Sequence, residues 1–192
     1  LLRDNVNNAT NIGTTALRGV LTSGGTATTG VTELVEWHNQ STVTINSVIA
    51  NNGLGNLTKF VKAGPAGTTL TAANTYTGGT VVNAGTLTIN ATAGAGTVVI
   101  PAGGITLNNA NLTMSTSQGQ IDSTNDVTIN GGGVLTLTGN NTLKSVTFAN
   151  MGAAKLYRTA DCNCAPILLL HGAIDETLME HNGASVALGS SE

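Results

Sequence analysis

The side chains with the most chemical potential cluster near the C-terminus. Cys162, Cys164, His171 and His181 together offer four soft donors, the number a structural zinc takes. Their spacing, C-x-C-x6-H-x9-H, matches no familiar zinc knuckle, so they are candidates by donor count alone and no metal or other cofactor is expected. A disulfide between Cys162 and Cys164 would close a very small, strained ring. Pairing with another chain or two free thiols are the states expected instead. Asp122 and Asp126 are the only carboxylates of the middle of the chain, and their even spacing would place them on one face of a strand. There they could bind calcium or act as an acid/base pair, with Asn125 and Asn130 adding neutral oxygens; the plain alternative is a polar corner. His38, His171 and His181 lie in the end segments, away from any G-x-S-x-G elbow, and no glycine cluster has the G-x-x-x-x-G-K-[ST] form. No catalytic residue is assigned, and the expected protein is not an enzyme.

The elements that must carry these residues are written in the composition. Of 192 residues only 9% are charged, against about 25% in ordinary domains, and 25 are glycine. Between Ser41 and Asn150 the only charges are Lys59, Lys62, Asp122, Asp126 and Lys144. A net charge of -3 without clustered Lys or Arg excludes a nucleic-acid partner held by phosphate contacts. The longest apolar run, Ile167 to Leu170, is far short of the roughly 18 residues of a membrane span. The chain opens at Leu1 with neither Met nor a secretory leader, as expected of a sequence that is processed, excised or incomplete.

Apolar residues alternate with Thr in short bursts: Val43-Thr44-Ile45, Leu87-Thr88-Ile89, Ile105-Thr106-Leu107, Val127-Thr128-Ile129, Leu135-Thr136-Leu137 and Val146-Thr147-Phe148. Period two predicts strands, and the intervening Gly and Asn clusters predict corners. The bursts at Thr88, Thr106, Thr128 and Thr147 recur at about 20 residues, a solenoid period. About nine turns, on the order of 40 Å tall, would follow. With 3% aromatics the core should be narrow and aliphatic. The competing architecture is an antiparallel sandwich, whose turn signals come closer together along the chain.

One stretch carries more specific information. Residues 53–87 hold Gly53, Gly55, Leu57 and Lys59, then Gly64, Gly67, Thr68 and Leu70, then Asn74, Thr75, Tyr76, Gly79, Thr80, Val82, Gly85, Thr86 and Leu87. In these types and this order they resemble the passenger-associated transport repeat of bacterial autotransporters. Two departures are visible: Phe60-Val61-Lys62-Ala63 lengthens the first half, and Ala72-Ala73 stands where glycine is common. A half-copy follows at Gly133 to Thr142, with Leu143 at the tyrosine position. The resemblance covers under a fifth of the chain. It implies an all-β, right-handed parallel β-helix, exported and displayed at the bacterial surface or outside the cell.

The ends have a different texture. Residues 1–40 read as an N-terminal strand or cap region with Trp37 in a core position, 41–152 as the repeat region, and 153–192 as a C-terminal cap or docking segment. In that last segment Ile167 to Leu170 reads as a buried strand, Gly172 to Asn182 as a short helix and Ser185 to Leu188 as a last strand. The function expected is a structural or adhesive scaffold that associates with itself end to end or by strand donation, with a host or matrix surface as a further partner. The alternatives are a carbohydrate-active or carbohydrate-binding β-helix and a module docking a partner through its C-terminal segment.

Overall fold

A computed structural model of the chain describes residues 2–4, 8–53, 55–91, 96–149, 155–159, 167–170 and 185–188. Short strands follow one another around three faces. The first turn is β1 (Leu2–Asp4), β2 (Thr10–Ile12) and β3 (Val20–Leu21); the second is β4 (Gly30–His38), β5 (Val43–Ile45) and β6 (Val48–Ile49). Two-strand turns come next: β7 (Asn56–Lys62) with β8 (Thr68–Leu70), β9 (Thr80–Val82) with β10 (Thr86–Ile89), and β11 (Ile105–Asn108) with β12 (Asn111–Met114). Then come β13 (Asp126–Asn130), β14 (Val134–Thr138) and β15 (Asn141–Leu143), followed by β16 (Ser145–Ala149), β17 (Lys155–Thr159) and β18 (Ile167–Leu170), and β19 (Ser185–Leu188) stacks on β18.

Face one is the sheet β1-β4-β7-β9-β11-β13-β16, and face two is β2-β5-β8-β10-β12-β14-β17. Face three is thinner: β3 pairs β6, β15 pairs β18, and between them only the bridges Ala50 to Thr75 and Ile100 to Ile121 hold the turns together among the described residues. Every strand pair among the described residues is parallel, so the molecule is a parallel β-helix and not an antiparallel sandwich. Strands drawn from residues 1–40 form the first turn and open the second, while β17 extends face two and β18 and β19 extend face three.

The turns are uneven, and most are longer than the bursts suggest. Positions 34, 60, 80, 105, 127 and 146 share one column of face one, so the length of a turn changes from level to level. Among the described residues the two main faces therefore hold seven strands each instead of nine, a height of about 29 Å at the sheet spacing. The error has a specific source. Thr106, Thr128 and Thr147 stack as expected on face one, but Thr88 belongs to face two, in the outward ladder Thr44, Thr69, Thr88, Thr113 and Thr136. Two faces with the same alternation look like one in the sequence.

The core is a set of in-register columns. Val43, Thr68, Leu87, Leu112, Leu135 and Leu156 stack inside face two, beside Ile45, Leu70, Ile89 and Met114. Inside face one Val82, Leu107 and Ile129 follow each other, and all are fully buried. Each such aliphatic side chain contributes about 1.5–3 kcal/mol over an exposed one. The expected exclusion of rings fails at one level: Phe60 and Tyr76 are both fully buried, with ring centroids 6.3 Å apart. Thr80 in the Phe60 column leaves space there, and its hydroxyl lies 2.6 Å from the Tyr76 hydroxyl. Burial pushes the Tyr76 phenol well above its usual range. Trp37 is a second correction, because it occupies the outward side of β4 and is 42% exposed. Its neighbours Glu36 and His38 take the inward positions that an aliphatic core would fill.

Candidate functional site

The residues of the repeat motif run along β7, β8, β9 and the start of β10 and through the corners between them, and most have a mechanical task. Gly64 passes so close to β4 that a Cβ would collide with the His38 carbonyl oxygen. Gly85 has φ +66°, and a Cβ there would collide with the Pro65 carbonyl. Gly55 and Gly79 make similar close approaches, whereas Gly53 lies in open space at positive φ and Gly67 has ordinary contacts. Leu70, Val82 and Leu87 are core residues, and Leu57, Lys59 and Thr86 face outward. Thr75 bridges to Ala50. Asn74 is buried and works as a staple: its side-chain oxygen accepts from the Ile49 N–H at 2.9 Å, and its side-chain nitrogen donates to the Val99 carbonyl at 2.7 Å. A buried backbone group needs such a partner where face three lacks a continuous strand. Asn141, at the matching place in the half-copy, accepts from the Gly119 N–H at 3.1 Å, and Leu143 replaces the tyrosine as a fully buried residue.

The densest set of titratable groups among the described residues is one that sequence reasoning missed. Glu36 and Lys62 are adjacent in register on the inner side of β4 and β7, 2% and 0% exposed, with Nζ and Oε2 4.0 Å apart. The Thr68 hydroxyl donates to Glu36 Oε2 at 2.7 Å from the opposite face, and the Lys62 ammonium donates to the Gly64 carbonyl. His38 is fully buried at the end of β4. Burial raises the Glu36 carboxyl above its ordinary value against the opposing pull of Thr68, Lys62 and His38. Burial also lowers the Lys62 ammonium, with Glu36 pulling the other way. A signal was available: Leu34-x-Glu36 and Phe60-x-Lys62 share the parity of core residues, one turn apart. Closed off from solvent, the cluster can hold turns two and three in register; it cannot meet a substrate.

Asp122 and Asp126 do not share a strand. Asp122 sits in a turn and accepts from the Thr124 N–H at 2.9 Å and hydroxyl at 2.6 Å, bonds that lower its carboxyl below the usual value. Asp126 opens β13 and meets Lys144 Nζ at 2.7 Å and the Ser145 hydroxyl at 2.6 Å, which lowers it as well. Asn125 is turned to the backbone, accepting from Gly104 and donating to Pro101 and Asp122, while Asn130 joins the amide ladder Asn83, Asn108 and Asn130 at 2.7 Å per step. Of the two readings of these carboxylates the polar corner is the one the structure shows: they do not meet on one face. Among the described residues no group of three or more His, Cys, Asp or Glu is placed to hold a metal. Cys162, Cys164, His171, His181 and the expected helix over 172–182 lie outside the described residues.

Parallel stacking, corner glycines and asparagine staples define a parallel β-solenoid. Residues 60–89 and 127–148 match the model of the Passenger-associated-transport-repeat family. The chain carries autotransporter passenger repeats, and that family implies export to the cell surface or beyond. No curated protein and no solved structure matches the chain. Among the described residues no helix is long and apolar enough to cross a membrane.

Proposed function

We propose that the chain is a non-enzymatic extracellular scaffold, a stiff segment of a passenger that spaces or displays material at the bacterial surface and associates with further copies of itself. The observation that carries this reading is the use made of its polar side chains. Asn74, Asn141, Asp122, Asp126, Glu36 and Lys62, the types that elsewhere do chemistry, are engaged in joining turns or closing corners. Strands at the ends of such a stack have open N–H and C=O groups on one side, and these can accept another turn or another copy. End-to-end growth into a fibre is the form of assembly that this geometry favours.

The test combines negative-stain imaging with light scattering on purified chains. Rods or fibres longer than one molecule support the reading. A single monomeric species at high concentration counts against self-assembly. Turnover of an acidic polysaccharide that is lost on Asp122→Ala would replace the scaffold by a carbohydrate-active enzyme.

A further inference from the structure

The outer surface of face one changes character halfway along the coil. One outward row runs Val35, Val61, Val81, Thr106, Thr128 and Thr147, in register from strand to strand. Its second half is hydroxyl, as a solvent-facing row should be, and is flanked by the amide ladder Asn83, Asn108 and Asn130. Its first half is valine, partly exposed at Val35 and Val81 and only 6% exposed at Val61. Beside those valines lie Val31 and Leu57, opposite each other in register, and Trp37. Val31 is 53% and Trp37 42% exposed. Within β4, β7 and β9 the only charges on this outer side are Glu33 and Lys59, 3.6 Å apart. An apolar surface centred on one ion pair, with a tryptophan at its margin, has the composition of an interface centre and not of a free face.

The charges indicate what covers it. Glu33 and Lys59 are register partners on adjacent strands, so the face carries one positive and one negative group side by side. A two-fold axis parallel to the strands, between β4 and β7, sets each Glu33 against the partner copy's Lys59. The same operation sets Val31 against Leu57 and Val35 against Val61. Such an interface is isologous and closes at two copies. We infer that the outer face of β4 and β7 is a lateral docking surface for a second copy of this chain, the two coils lying side by side with opposite axes.

The contact is small. Two strands at about 4.8 Å by seven residues at about 3.3 Å give roughly 200 Å² per copy, below the about 800 Å² per partner of a stable complex. Pairing is thus weak between free chains and gains strength where many copies are held together, as on a surface. This contact is separate from the end-to-end growth proposed above and does not depend on it.

Sedimentation velocity of the full chain over a concentration series tests the inference. The unaltered chain should move reversibly from monomer to dimer as concentration rises. V35T/V61T, which carries the row's threonines onto β4 and β7, should weaken dimerisation at least about tenfold, roughly 1.4 kcal/mol. E33K and K59E should each fail to dimerise alone, and an equimolar mixture of the two should restore the dimer, because the first carries two lysines and the second two glutamates. An unaltered chain that stays monomeric, variants that dimerise as well as it does, or a mixture that restores nothing would overturn the lateral surface. Longer polymers indifferent to these substitutions would also overturn it, while leaving the end-to-end contact standing.

Discussion

Lys62 is fully buried in a chain with seven basic residues in total, and among the described residues the carboxylate beside it is Glu36. A buried pair of this kind is expensive to desolvate, and removing one partner leaves the other charge uncompensated. Glu36→Gln and Lys62→Met should each lower stability by about 3–5 kcal/mol in urea denaturation, whereas Glu36→Leu with Lys62→Met should be neutral or more stable by about 1–4 kcal/mol. A double variant as weak as the worse single one would contradict this account. The pH response has a defined sign. Between its ordinary value of 4.5 and its raised folded value, Glu36 holds a proton in the folded chain that the unfolded chain releases. Its contribution to stability therefore grows as pH falls through that window and is lost as pH rises through the folded value. Glu36→Gln should remove this dependence, as denaturation at pH 5 and pH 8 would show. The local sequence hides this cluster, because Phe60-Val61-Lys62-Ala63 reads as added length in the repeat. A lysine between valine and alanine looks solvent-facing until the strand's parity is fixed by its register partner Glu36, one turn earlier.

Corners and staples determine whether a strand can close on the turn before it. Asn74→Ala strands the Ile49 N–H and the Val99 carbonyl in the interior, at about 1–3 kcal/mol for each group left unpaired. Thr69→Ala, on the outward ladder, should change stability by less than about 0.5 kcal/mol. Thermal unfolding of the two variants checks the contrast. Gly64→Ala forces β4 and the corner after β7 apart at the His38 carbonyl and should cost about 1–3 kcal/mol or more. The strands were legible in the sequence because alternation survives in every turn: Val43-Thr44-Ile45 and Leu135-Thr136-Leu137 are strands of the structure as they were of the pattern. Which face a burst belongs to was not legible. Faces one and two carry the same apolar-Thr-apolar signature, and corner lengths that vary between turns shift the phase, so Thr88 and Thr106 looked equivalent while lying on different sheets. Trp37 was misplaced for a related reason: inward or outward parity in β4 is set by partners in β7, which the local sequence does not display.

At the scale of the whole molecule, each turn bonds only to the turns before and after it, so cohesion is close to a sum of nearest-neighbour terms and opening should begin at the ends. Surface charge contributes little, since the exposed pairs Glu33 with Lys59 and Asp126 with Lys144 are each worth about 0.2–1 kcal/mol and are screened by salt. Parallel register is what everything else rests on. It stacks the core columns, brings Glu36 to Lys62 and divides the outer face into valine and threonine halves. The outward threonines of face two offer a direct ruler. In a Cys162→Ser/Cys164→Ser background, spin labels placed in pairs at Thr44 with Thr69, Thr88, Thr113 or Thr136 should report separations that rise in equal steps of about 4.8 Å, to about 19 Å for the last pair. A series that reverses order, or a Thr44 to Thr136 distance well short of or far beyond that value, would contradict the parallel coil.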